Sequence, residues 1–250
     1  TELETKTKSG EELNKDDLIF LYEIDTPING FGYQKDPRIK ELRDQRNPIE
    51  DMPIVFECAR DQIIHNELEL KNALASEKDV KAYVGALFPD IFRLLPPRLE
   101  HIYTEFPESK ISRMEITIGG GSKEDLIQEL QTKFKISDYA KSMLANTEFT
   151  VLENEENLTL ISLKVSDLAF SRNPTTKDLY QRAEELVLKL CPPETGPQLR
   201  KQYLNQPMDK WLYIGMKPIF ASDGYPYVFL LVHRGDDLWL FDGWTGPGSG

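Results

Sequence analysis

The chain has 250 residues, 40% of them apolar and 29% charged, with a net charge of −12. That length can bury a sizeable core, and the composition is ordinary for a soluble globular protein. The acidic balance repels phosphate backbones and argues against nucleic-acid binding as the main task, while the absence of any run of about 18 apolar residues argues against a membrane span.

Residues 1–17 are polar and charged and read as a flexible acidic arm or a short exposed helix. LIFLYEI, residues 18–24, reads as a strand closed by Asp25-Thr26-Pro27. Residues 28–53 read as an extended loop with a short helix around Arg38 to Gln45. Helix is expected over 60–75 and again from Ser76, where Val80, Tyr83, Val84 and Leu87 fall at helical spacing. RLEHIYTEF and ISRMEITI flank the turn PESK and read as a hairpin or two neighbouring strands. GGGS then leads into an amphipathic helix carrying Leu126, Ile127, Leu130 and Phe134 on one side. A helix from Ile136, a strand at Leu158 to Val165 and a helix capped by Thr175 or Thr176 follow. From Trp211 to Trp244, three apolar runs separated by Gly, Pro and Asp signals read as a three-stranded antiparallel meander. The fold class is therefore α+β. A mainly antiparallel sheet with packed helices is expected in one domain over 18–244, with a linker-like tail at 245–250.

Few patterns carry chemistry. Cys58 and Cys191 are far apart and read as reduced thiols of a cytoplasmic protein. No C-x-x-C, H-E-x-x-H or EF-hand spacing occurs, so no metal or cofactor is implied. Gly119-Gly120-Gly121-Ser122-Lys123 is a glycine turn before a helix, a place where bare N–H groups can cradle phosphate. It matches neither nucleotide motif, and Ser122 with Asp125 explains it as a helix cap. His233-Arg234-Gly235-Asp236-Asp237 holds acid, base and anchor in five residues, and is equally an ordinary hairpin turn.

Two features are better candidates. The first is the aromatic sheet: Trp211 with Tyr213, Tyr227 with Phe229, and Trp239 with Phe241 each share a face by strand alternation. A three-residue turn at 235–237 collects Trp239 on the Phe229 side; a two-residue turn shifts every side chain by one. Open, such a face stacks sugars, bases or a peptide; covered, it is core, which is the commoner fate of sheet aromatics. The second is the connector Cys191 to Arg200, whose three prolines and glycine fix its path and present Glu194, Gln198 and Arg200.

LVLKLCPPETGPQLRKQY, followed by WLYIGMKPI, DGYPYVF and LWL, resembles a family of bacterial proteins that share a Leu-Cys-Pro and Gly-Pro-Gln-Leu-Arg core. The likeness reaches back through HIYTEFPE and YAKSML, over residues 80–240. That family has no assigned activity, so the resemblance implies a bacterial, cytoplasmic origin and says nothing about catalysis.

With no nucleophile in a recognisable setting, the reading is a non-enzymatic binding or interaction protein with a protein or small-molecule partner. Its binding residues are Glu194, Gln198, Arg200, Trp211, Tyr213, Tyr227, His233 and Trp239. The alternative is a metal-free hydrolase or transferase assembled from His233, Arg200, Glu194 and Tyr103.

Overall fold

In a computed structural model the described residues are 2–24, 28 and 37–246. The turn expected at Asp25-Thr26-Pro27, residues 29–36 of the 28–53 loop and residues 247–250 of the tail lie outside them. Helices and strands are mixed along the chain, an α+β arrangement. The chain divides into two compact units, Thr1–Ser112 with Ser166–Ala169, and Arg113–Val165 with Phe170–Gly250. No helix among the described residues is long and apolar enough to cross a membrane.

The first unit opens with α1 (Glu2–Ser9) and α2 (Lys15–Leu21). Residues 18–24, expected as a strand, belong to α2 and the turn after it. The reason is a cap upstream of the apolar run. The Asn14 side chain accepts the Asp17 N–H at 2.9 Å, and the Asp17 carboxylate accepts the Asn14 N–H at 3.1 Å. This reciprocal pair satisfies two helix-start donors and nucleates a turn. Leu18, Leu21 and Tyr22 are then buried at i, i+3 and i+4, while Phe20 is exposed. α3 (Pro37–Asp44) and α4 (Pro48–Val55) follow, so much of the expected loop is helical. Leu3 and Leu13 also reach this core, with Met52, Val55, Phe56 and Phe106.

A small sheet completes the unit. β1 (Ile63–Ile64), β2 (Ala82–Val84) and β3 (His101–Tyr103) lie in that order, all parallel, separated in sequence by α5 (Glu67–Ala75) and α6 (Ile91–Leu94). The helix expected over residues 76–92 is absent: β2 stands in its place, buried on both sides by parallel neighbours. Val80, Tyr83, Val84 and Leu87 are nonetheless all buried. The apolar residues were identified, but their period does not distinguish a short buried strand from a helix. β3 does not pair with the next strand, but a short antiparallel turn survives of the expected hairpin: Tyr103 bridges Lys110, the Thr104 N–H donates to the Ser109 carbonyl at 3.0 Å and the Ile111 N–H to the Ile102 carbonyl at 2.8 Å.

The second unit contains β4 (Ser112–Ile118), α7 (Lys123–Lys133), β5 (Lys135–Ile136), α8 (Asp138–Ala145), β6 (Glu156–Ser162), α9 (Thr176–Glu185) and α10 (Thr195–Gln202). It ends in β7 (Trp211–Tyr213), β8 (Ile219–Phe220), β9 (Pro226–Arg234) and β10 (Asp237–Trp244). The main sheet has the order β5-β10-β9-β7, with β8 also beside β9. β9 runs antiparallel to β7, β8 and β10, and β10 runs parallel to β5. Taken with the parallel β1-β2-β3 sheet, the strands are mixed rather than mainly antiparallel. The parallel pairs join segments far apart in sequence, and local pattern carries no signal for such pairings.

One face of this sheet is core. Phe229, Leu231 and Leu240 pack with Leu130, Met143 and Leu199 from α7, α8 and α10. Gly196 makes the close approach of α10 possible, since a Cβ there would lie 2.6 Å from the Phe229 Cβ.

Candidate functional site

The hairpin register decides what the other face presents. Asp237 pairs with Arg234, leaving a two-residue turn of Gly235 and Asp236. Gly235 has φ +61°, which suits the first central position of such a turn. Trp239 therefore faces Val232, and Phe241 faces Leu230. On β7, Trp211 also faces Val232 and Tyr213 faces Leu230. Residues directly opposite share a face. The outer face thus carries Trp211, Tyr213, Trp239 and Phe241 over buried Val228, Leu230 and Val232.

The aromatic set splits between the two faces. Tyr227 and Phe229 go inward: Tyr227 is buried, stacks on Tyr139 with centroids 5.1 Å apart, and donates its hydroxyl to Asp223 at 2.8 Å. Trp211 and Tyr213 go outward and are 57% and 58% exposed. Trp239 and Phe241 are half-buried and meet edge to face at 6.1 Å. The Tyr213 ring lies over Gly243, where a Cβ would come within 2.6 Å of it. Glycine on β10 thus leaves room for an aromatic ring to lie across the sheet. Lys135 of β5 pairs with Trp239 and continues this face.

The connector expected as a presenting loop is instead α10, and its polar side chains point into the protein. Glu194 is buried, accepting N–H groups from Gly119 at 2.9 Å and Leu152 at 2.7 Å, with Gln198 at 3.3 Å. It binds the glycine turn to the segment beside it. Gln202 continues this role, donating to the Thr117 carbonyl at 2.7 Å and accepting the Thr117 N–H at 3.1 Å.

Arg200 is wholly buried. It donates to Gln206 Oε1 at 2.6 Å and to the Tyr203 carbonyl, and lies over the Phe134 ring at 5.7 Å. Burial pulls its pKa down to about 10, against the attraction of Tyr203. Gln206 in turn donates to the carbonyls of Lys210 at 2.7 Å and Leu231 at 3.0 Å. His233 Nδ1 donates to the Gln206 carbonyl at 2.5 Å, which fixes its tautomer. Arg200, Gln206 and His233 together hold the connector that feeds β7. They brace the segment that leads into β7 against β9. Gln206 carries no signal in the sequence, because nothing local distinguishes a glutamine that two carbonyls and an arginine surround.

The glycine turn lines a pocket of about 340 Å³ with Asp125, Glu129, Glu155, Gln198 and Lys201. Lys201 is spent on Glu129 at 2.6 Å. The Ser122 side chain accepts the Asp125 N–H at 3.0 Å and caps α7. Carboxylates outnumber cations at this mouth, an environment that repels phosphate. Burial pushes the Cys191 thiol up to about 11, which disfavours the thiolate. Of the residues named for a dispersed catalytic site, Glu194 and Arg200 are buried in separate networks along α10, and Tyr103 belongs to the first unit. No cluster of metal-binding side chains occurs among the described residues.

No family model matches the chain, and no curated protein or solved structure is similar to it.

Proposed function

We propose that this chain is a binding protein whose contact surface is the outer aromatic face of the β5-β10-β9-β7 sheet. One observation carries the reading: Trp211 and Tyr213 are more than half exposed, on the same face as Trp239 and Phe241, over a buried aliphatic floor. Large rings are costly to leave in water, and contiguous exposed apolar surface marks interaction sites. The rings stand on paired strands, so their positions are fixed before any partner arrives and little ordering entropy is lost on binding. The net charge of −12 favours partners that are neutral or basic over nucleic acid. The resemblance over residues 80–240 adds a bacterial, cytoplasmic setting to this reading.

All three tryptophans, 211, 239 and 244, lie on β7 and β10, so intrinsic fluorescence reports on this region. Titration with panels of peptides and oligosaccharides is expected to shift or quench the emission in a saturable way for one class. Because Trp211→Ala with Trp239→Ala also removes two of the reporters, its binding is read by thermal shift: the saturable rise in melting temperature that the ligand gives the parent chain should be absent from the double variant, whose ligand-free melting temperature is unchanged. A saturable thermal shift that persists in the double variant locates binding elsewhere and ends the proposal.

A further inference from the structure

The outer face runs out at an edge. β7 is the terminal strand in the order β5-β10-β9-β7. Ile214 donates its N–H to the Phe229 carbonyl at 2.9 Å, and Leu212 stands opposite Leu231. In an antiparallel pair, residues alternate between bonding the neighbour and turning their backbone groups away from it. Trp211, Tyr213 and Gly215 are the residues that turn away. Gly215 is already taken: Cys191 donates its N–H to the Gly215 carbonyl at 2.7 Å and forms a parallel bridge with Met216. The edge thus binds a second backbone where the chain supplies one. At Trp211 and Tyr213 it supplies none, and no backbone or side-chain hydrogen bond takes up their outward groups among the described residues.

Resting on the reading of the outer face as the contact surface, we infer that β7 takes up an extended peptide segment of a partner protein. The peptide backbone bonds the outward N–H and C=O groups of Trp211 and Tyr213, and its alternate side chains lie beside their rings. Three observations select this occupant. Backbone donors and acceptors repeating at strand spacing are matched by another strand and not by a sugar. The exposed parts of the four rings amount to roughly 400 Å² at most, from about 150–250 Å² per aromatic, against about 800 Å² per partner in a standard stable interface. That suits a short segment and is too little for a second copy of this chain. The charge of −12 favours a segment with Lys or Arg at its outward positions.

The test uses the full chain, labelled for amide exchange, with heptapeptides that alternate Val, Ile or Phe with Lys or Thr. Saturable binding should change tryptophan emission and slow exchange of the Trp211 and Tyr213 amides at least tenfold. N-methylation of alternate peptide amides should weaken binding at least tenfold, because it removes the donors facing β7. If emission changes while those two amides exchange as before, the peptide crosses the face without joining the edge; this inference falls and the contact surface stands. A response to oligosaccharides and not to peptides has the same consequence. Concentration-dependent self-association that protects the two amides assigns the edge to a second copy and overturns the inference. Silence from both ligand panels removes the inference and the proposed function together.

Discussion

α10 and the outer face of the sheet invert the usual distribution of side chains. The helix buries a glutamate, a glutamine and an arginine; the sheet leaves a tryptophan and a tyrosine more than half in water. Each arrangement costs free energy in isolation, because buried polar groups need partners and exposed rings order water. Most of the buried set finds partners: Glu194 collects two backbone N–H groups, and Arg200 with Gln206 satisfies a run of carbonyls, although the Arg200 Nε stays unpaired. Trp211 and Tyr213, by contrast, remain more than half exposed on the outer face. The difference separates groups whose role is complete when the chain folds from groups whose role requires something else.

Substitutions sharpen that contrast. The largest loss is expected for Arg200→Ala, which unpairs Gln206 Oε1 and the Tyr203 carbonyl and leaves a void over Phe134. About 3 kcal/mol should disappear from the unfolding free energy, read by urea titration with tryptophan emission. Arg200→Met should recover part of this, since it restores volume without burying a cation that has no carboxylate beside it. Glu194→Ala strands the N–H groups of Gly119 and Leu152 and should cost about 2 kcal/mol by the same titration. Gly196→Ala drives a methyl against Phe229 and should also cost about 2 kcal/mol, with the denaturant midpoint falling accordingly.

The first unit supplies a smaller, pH-dependent effect. His101 stacks on Phe56 with centroids 4.5 Å apart, and its Nδ1 is buried without a partner. Burial, then the charges of Lys110 and Lys15, hold its pKa below the usual histidine value, while Glu100 opposes them. The folded state therefore binds its proton less readily than the unfolded state. Stability is full above the unfolded histidine value near 6.5, and is lost as pH falls below it toward the lower folded value. Circular dichroism melts at pH 7.5 and 5.5 should show this loss, and His101→Gln should reduce it.

The smallest change in stability is expected for Trp211→Ala, within about 0.5 kcal/mol, because the ring is largely in solvent and leaves no cavity.

Much of the fold is legible in the chain, but unevenly. Ser122 and Thr175 mark α7 and α9 by their capping side chains, and both caps form. Asn14 caps α2 by the same chemistry, but the apolar run LIFLYEI after it reads equally as a strand, and the cap enters only with the structure. Apolar patterning located Val80, Tyr83, Val84 and Leu87 as buried but assigned them the wrong period, because a three-residue strand between parallel neighbours takes its shape from contacts far away in sequence. The site divides along the same line. Trp211, Tyr213 and Trp239 were visible as aromatics of alternating strands, while their shared face hung on one residue of turn length at Gly235. Glu194, Gln198 and Arg200 were visible as unusual residues in a rigid segment. Their burial is not legible there, because Glu194 is held by Gly119 and Leu152, far away in sequence, and the nearby Gln206 that holds Arg200 is itself anchored to Leu231 of β9.

The central claim is that the aromatic face serves a partner and not the fold. Trp211→Ala tests it most directly when its urea midpoint and its affinity for the selected ligand are measured on the same sample. The account predicts an unchanged midpoint with binding weakened at least tenfold. A midpoint that falls by the equivalent of 2 kcal/mol or so with binding intact would make Trp211 a structural residue and contradict it.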